Sequence, residues 1–240
     1  SANTDGAINS TVSANTTSGF SIVSYTGTLS GNGNTTVGHG LGVAPKMIIT
    51  KSKSNGENWG VYHKDLTANR ILQLNTTSAQ IDTSSEGTVT APTSSVFTVN
   101  YRGEYGNSGQ NYIAYCFAEK KGFSKFGSVK GNGSDDGPFI YTGFKPAFYM
   151  HKIYNGSTGQ WLMFDNKRNE SNVVNKFLKT DANEAEGTSG TANQVDFLSN
   201  GIKIRENNGD LNSSTSNDYL YMAFAEHPLV ASNGIPATAR

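Results

Sequence analysis

Tyr112-Ile-Ala-Tyr-Cys-Phe-Ala-Glu119 returns later in the chain as Tyr219-Leu-Tyr-Met-Ala-Phe-Ala-Glu226, 107 residues on (119 to 226). Read with the period of two that a strand imposes, the first copy sets Ile113, Tyr115 and Phe117 against Tyr112, Ala114, Cys116 and Ala118. The second sets Leu220, Met222 and Phe224 against Tyr219, Tyr221, Ala223 and Ala225. A strand apolar on both faces is a central one, covered from both sides. The bulky face is expected to fill a sandwich core. The smaller face is expected to let another layer approach closely.

Working outward, other landmarks recur in the same order. Gly19-Phe-Ser answers Gly122-Phe-Ser. Pro45 and Lys51 answer Pro146 and Lys152, both 101 residues on, and the run 59–63 answers 161–165 at an offset of 102. A repeat of ~100 residues is too long for a solenoid unit and reads as a domain duplicated in tandem. Apolar runs at 47–50, 59–63, 71–75 and 96–100, and again at 195–199 and 202–205, lie between Gly, Asn and Ser turns and predict strands. The expected fold is all-β: two tandem antiparallel β-sandwiches, jelly-roll or concanavalin-like, over residues 19–121 and 122–228. Residues 1–18 are mostly Ser, Ala, Asn, Thr and Gly and read as an extended linker or arm, or as a strand pairing with a neighbouring subunit. Residues 229–240 read as a C-terminal arm. The chain opens without an initiator Met and without a charged or apolar leader, so it is read as a C-terminal piece or a processed product.

Composition narrows the function. Formal net charge is zero and 16% of residues are charged, which disfavours nucleic-acid binding through a basic surface and attachment to anionic lipid. No apolar run approaches the ~20 residues that span a bilayer, so no membrane insertion is expected. The 12 Phe and 11 Tyr argue for a packed core against the disorder that 27 Gly would otherwise suggest. The lone Cys116 sits in the repeated strand and reads as a buried, inert thiol.

Few residues suggest chemistry. His39, His63, His151 and His227 neither recur nor cluster as zinc ligands would. Asp135-Asp136 lies in an oxygen-rich turn that makes a weak calcium candidate, but without EF-hand spacing it reads first as a solvated hairpin tip. Asp165, Glu184, Glu186 and Asp196 are acids whose spacing selects no catalytic pair. No catalytic residue and no cofactor is expected. Tyr101, Tyr105 and Tyr154, set among Gly and Asn, are the candidates for ligand contact. The recurring Trp59 and Trp161 join them, with a place in the core as the competing reading.

Several stretches together resemble a known family. They are Val37-Gly-His-Gly-Leu-Gly-Val-Ala-Pro-Lys46, the two copies of the repeated strand, Ser124-Lys-Phe-Gly-Ser-Val-Lys-Gly-Asn-Gly133, Gly137-Pro-Phe-Ile-Tyr-Thr-Gly-Phe-Lys-Pro146 and Asp196-Phe-Leu-Ser-Asn-Gly201. This is similar to a recurrent domain of tailed-bacteriophage virion proteins, common in marine phages, usually at the C-terminal end of tail-fibre or other virion-surface polypeptides. More remotely it is similar to SPRY-type and concanavalin-like sandwiches. The resemblance implies a non-enzymatic protein on the virion surface, a receptor-binding module attaching to a host cell-surface glycan or protein. It further implies contacts with other virion proteins and a homotrimer. The rivals are a head fibre, decoration or capsid-associated protein without a ligand, and a polysaccharide depolymerase.

Overall fold

The computed structural model describes residues 1–188 and 193–227. The C-terminal arm expected at 229–240 lies outside them. The described chain is all-β, without a helix, and every ladder between its strands is antiparallel. It divides into two compact units. Unit 1 is Ser1–Asn75 with Gln80–Glu119, and unit 2 is Thr76–Ala79 with the chain from Lys120 onward.

Unit 1 runs β1 (Ala2–Asn3), β2 (Ser10–Asn15), β3 (Phe20–Thr26), β4 (Asn34–Gly38), β5 (Met47–Ser52), β6 (Gly60–His63), β7 (Arg70–Gln73), β8 (Ile81–Asp82), β9 (Val96–Asn100) and β10 (Asn111–Phe117). Its main sheet has the order β1-β2-β3-β10-β5-β6-β7-β8, and β4 pairs with β9 apart from it. Unit 2 runs β11 (Ser124–Lys130), β12 (Phe139–Tyr141), β13 (Pro146–Asn155), β14 (Trp161–Asp165), β15 (Lys176–Lys179), β16 (Gly187–Thr188), β17 (Val195–Leu198), β18 (Gly201–Ile204) and β19 (Asp218–Ala225). Its sheets are β11-β19-β13-β14-β15-β16 and β12-β18-β17. The repeated sequence is central in both units: β10 lies between β3 and β5, and β19 between β11 and β13. From β3 to β8 and from β11 to β16 the two main sheets follow the same path along the chain. The result is a β-sandwich-like, antiparallel fold.

In unit 1 the face of the central strand that fills the core is the opposite of the one expected, whereas in unit 2 both faces of β19 are buried, Leu220 and Met222 included. Tyr112, Ala114, Cys116 and Ala118 belong to the buried core of unit 1, with Val23, Tyr25, Ile71, Phe97 and Val99. The bulky Ile113, Tyr115 and Phe117 are only half-buried. The reason is steric. Tyr25 stacks on Tyr112 with centroids 5.2 Å apart and meets Phe97 edge-on at 6.1 Å. Ala114 and Cys116 leave the room that such rings need between two layers. On the outer face Phe20 packs against Phe117 at 4.9 Å and stacks on Tyr115 at 6.5 Å. In unit 2, Tyr221, Ala223 and Ala225 line the core with Tyr149, Leu162, Phe164, Ile202 and Ile204.

Residues 1–18 are not a linker. β2 pairs with β3 over six residues, and Ile8 bridges to Val37. Ser10 and Val12 point inward, so the segment alternates as a half-buried strand must. Asn3 rests on Gly38, where an added Cβ would meet the Asn3 side chain.

Candidate functional site

The cleft with the most chemistry lies in unit 1, where four separated segments meet. Glu57 and Asn58 precede β6, Gln73 ends β7, Glu86 lies between β8 and β9, and residues 101–107 follow β9. Together they line an open hollow of ≈ 390 Å³.

Arg102 organises it. Its Nε and Nη2 donate to the Glu104 carboxylate at 3.2 and 3.4 Å, and its Nη1 donates to Glu86 at 3.2 Å. Gln73 adds a donor to Glu104 at 2.6 Å. Glu104 is 4% exposed, so its charge depends on these partners. Glu57 lies against Gly103, where an added Cβ would come within 2.2 Å of its carboxyl carbon. Gly103 is thus a glycine because a carboxylate occupies the space of a side chain. Across the rim, the Asn75 amide donates to Asn58 at 2.9 Å. Three carboxylates against one guanidinium give the hollow an excess of negative charge.

The loop that carries these groups is pinned from beneath. Its amides at Tyr105 and Gly106 both donate to the Arg102 carbonyl, at 3.0 and 3.1 Å, which makes a single tight turn. That turn drives the Tyr105 ring inward against Gly60, and Tyr25 donates to the Tyr105 carbonyl at 2.8 Å. Tyr105 is 4% exposed, so it anchors the loop and does not offer a contact surface. This corrects its place among the ligand-contact residues. Burial pushes its hydroxyl far above the ordinary tyrosine range.

The other candidates fall in different places. Tyr101 is half-buried and lines the cleft. Trp59 is half-buried, with its amide donating to Asn75 at 3.0 Å. Trp161 is fully buried, with the Lys152 ammonium 5.9 Å from its ring, so it is a core residue. Tyr154 is half-buried on β13. Asp135 and Asp136 sit on an exposed turn, where Asp136 pairs with Lys203 at 2.6 Å. Among the described residues no three His, Cys, Asp or Glu side chains cluster as metal ligands.

The acids weighed for catalysis are engaged in ion pairs: Asp165 and Glu186 with Arg168, Glu184 with Lys179, Asp196 with Arg205. Cys116 is fully buried, and burial pushes its thiol up to about 12. His151 is held neutral by burial, which pulls it down to about 3, while its Nδ1 meets the Tyr149 hydroxyl at 2.5 Å.

A second hollow, of ≈ 430 Å³, lies in unit 2. There Glu226 takes hydrogen bonds from Lys145 at 3.0 Å and Asn166 at 2.9 Å. None of the predicted contact residues lines it. Arg102, Glu104, Glu86 and Glu57 were not foreseen as site residues. The one local signal was the polar, glycine-broken run Tyr101-Arg-Gly-Glu-Tyr-Gly-Asn107 directly after a strand.

Compared with known proteins, residues 1–228 match the model of a family described as a domain of unknown function, DUF7483. No curated protein and no solved structure matches the chain.

Proposed function

The chain belongs to the DUF7483 family, and from that premise we propose that it is a non-enzymatic module of a bacteriophage virion surface that attaches to a host-surface glycan. The observation that carries the reading is the closed ion-pair network of the unit 1 cleft. Arg102 is shared between Glu104 and Glu86, and Gln73 completes Glu104. Acids held this way are not placed as a free acid and base on either side of a scissile bond. What the hollow still offers is the Tyr101 ring, amides from Asn58 and Asn107, and the Glu57 carboxylate. These groups suit a ring with an apolar face and a rim of hydroxyls. The excess of negative charge favours a neutral or amine-bearing sugar over an acidic one. The virion context rests on the family resemblance, and each single site is weak enough to need several copies on a particle.

The test is a cell-attachment assay with the fluorescently labelled chain, as isolated and as an assembled oligomer, alongside a reducing-sugar assay on host polysaccharide. Attachment that falls at least fivefold in Tyr101→Ala, without sugar release, supports the proposal. Sugar release would replace it with a depolymerase. Absence of attachment in every oligomeric form would replace it with a purely structural protein.

A further inference from the structure

The three-residue strand β12 carries the two aromatic side chains that stand exposed among the described residues. Phe139 is 45% exposed and Tyr141 64%, while Ile140 between them is 4% exposed and belongs to the unit 2 core. Alternation on a strand puts both rings on the outer face, about 6.5–7 Å apart along the chain. Each ring lies over a glycine. A Cβ on Gly201 would come within 2.7 Å of Phe139 Cζ, and one on Gly143 would lie 3.5 Å from the Tyr141 hydroxyl. Gly201 is also the cross-strand partner of Tyr141, so no side chain stands between the rings on that side.

The strand at the same place in unit 1 is covered. β4 lies between β3 and β5 along the chain, as β12 lies between β11 and β13, and each pairs with a late strand of its unit. Its outer edge is taken by the N-terminal segment: Ile8 N donates to Thr36 O at 2.9 Å, and Asn3 rests on Gly38. Matching the buried pairs Val37–Phe97 and Ile140–Ile202 aligns Thr36 with Phe139 and Gly38 with Tyr141. Where unit 1 has a small residue under a covering segment, unit 2 has an aromatic ring in water. Among the described residues, β12 has a strand neighbour on one side only, β18.

We propose that Phe139 and Tyr141 form a platform on which a neutral polysaccharide stacks. A protein partner fits the observations less well. Two rings fall far short of the ~800 Å² that each side of a stable protein interface buries. A strand of three residues offers too short a ladder for strand addition. A sugar ring needs only a flat apolar slab with hydrogen-bonding groups beside it. Those groups are present: Lys203, directly across from Phe139, donates to the Gly137 carbonyl and pairs with Asp136 at 2.6 Å. The neighbouring Arg205 is likewise neutralised by Asp196 at 3.1 Å. Each cation near the rings is matched by an anion, which suits an uncharged ligand.

This platform shares a ligand class with the unit 1 cleft but stands on other residues, so each can fail alone. The experiment titrates the full chain calorimetrically with two neutral probes, cellohexaose and fully N-acetylated chitohexaose. At least one is expected to bind. The double variant Phe139→Ala/Tyr141→Ala is expected to bind it at least tenfold more weakly with an unchanged circular dichroism spectrum, and Val43→Ala, an exposed apolar position outside both sites, to bind it within twofold of the wild type. Absence of binding by both probes, or undiminished binding by the double variant, overturns the platform. A loss in Tyr101→Ala as large as in the double variant also overturns it and assigns the sugar to the cleft.

Discussion

The ammonium of Lys51 donates to the backbone carbonyl of Glu57 at 2.5 Å. A strand side chain thereby fixes the loop that brings the first carboxylate to the unit 1 cleft. In unit 2, Lys152 binds the carbonyl of Gly159 in the same way. The Trp59 amide donates to Asn75 Oδ1 at 3.0 Å, and the Trp161 amide to Asp181 Oδ2 at 3.2 Å. Two hairpins, β5–β6 and β13–β14, thus share one bracing scheme built partly from different residues. That shared scheme accompanies the matched strand paths of the two units.

The brace in unit 2 predicts a pH effect. Lys152 is fully buried, and burial lowers its ammonium to about 8, from an ordinary value of 10.5, against the opposing pull of Asp181 and Asp210. Between those two values the unfolded chain holds a proton that the native state releases, so this residue makes stability rise with pH in that window. Urea midpoints of the wild type relative to Lys152→Met should therefore rise from pH 8 to 10. A difference that stays flat would show that the ammonium is not destabilised by its site.

The cleft predicts a coupling. Arg102→Met should cost on the order of 3 kcal/mol, because it leaves the buried Glu104 carboxylate without its cation. The double variant Arg102→Met/Glu104→Gln should recover most of that loss. Denaturant unfolding of the four proteins in this cycle measures the coupling energy. Additive losses would mean that the pair is not coupled and that Arg102 serves Glu86 alone.

The inverted core face predicts an inverted mutational pattern. Ala114→Leu should destabilise by roughly 1–3 kcal/mol, since added methylenes would enter the space beside Tyr25 and Phe97. Phe117→Ala should cost less than the ~3–5 kcal/mol of emptying a fully buried phenylalanine site, because the ring is half-buried. Thermal or chemical denaturation can rank them. A larger loss for Phe117→Ala than for a fully buried Phe164→Ala would reverse the assignment of faces.

Glu206 predicts a loss of stability as pH rises from the acid side to neutrality. It is 5% exposed; burial, then the fields of Asp135 and Asp210, push its carboxyl up to about 7 against the pull of the Gln194 amide. A folded-state value raised above the ordinary 4.5 means that its stabilising contribution is full below 4.5 and is lost as pH rises through 7. Melting temperatures should fall from pH 5 to pH 8, and Glu206→Gln should flatten that slope. An unaltered slope in the variant would place the titration elsewhere.

How much of this was legible in the sequence depends on what kind of fact it is. The central place of residues 112–119 followed from apolar residues on both faces, and the register of β10 agrees. Which face points inward did not follow, because Ala and Cys carry little hydrophobic signal, and the gap they leave is set by rings on other strands. Tyr105 sits between glycines and reads as exposed, yet a single turn tucks it inside. The alternation of Ser10 and Val12 was visible, but Ser, Thr and Asn masked it with the composition of a linker. The cleft acids come from 57, 86 and 104, and no local spacing joins residues that meet only when four segments fold together.

The seating of Asn3 on Gly38 has a practical meaning for anyone shortening this polypeptide. Trimming at residue 19, where the composition invites a cut, would strip β1 and β2 from the sheet and leave the long edge of β3 open. An uncovered edge of that length is a template for chain-to-chain aggregation. Fusion partners and affinity tags therefore belong upstream of Ala2, and a bulkier residue at position 38 would unseat the same segment without any cut.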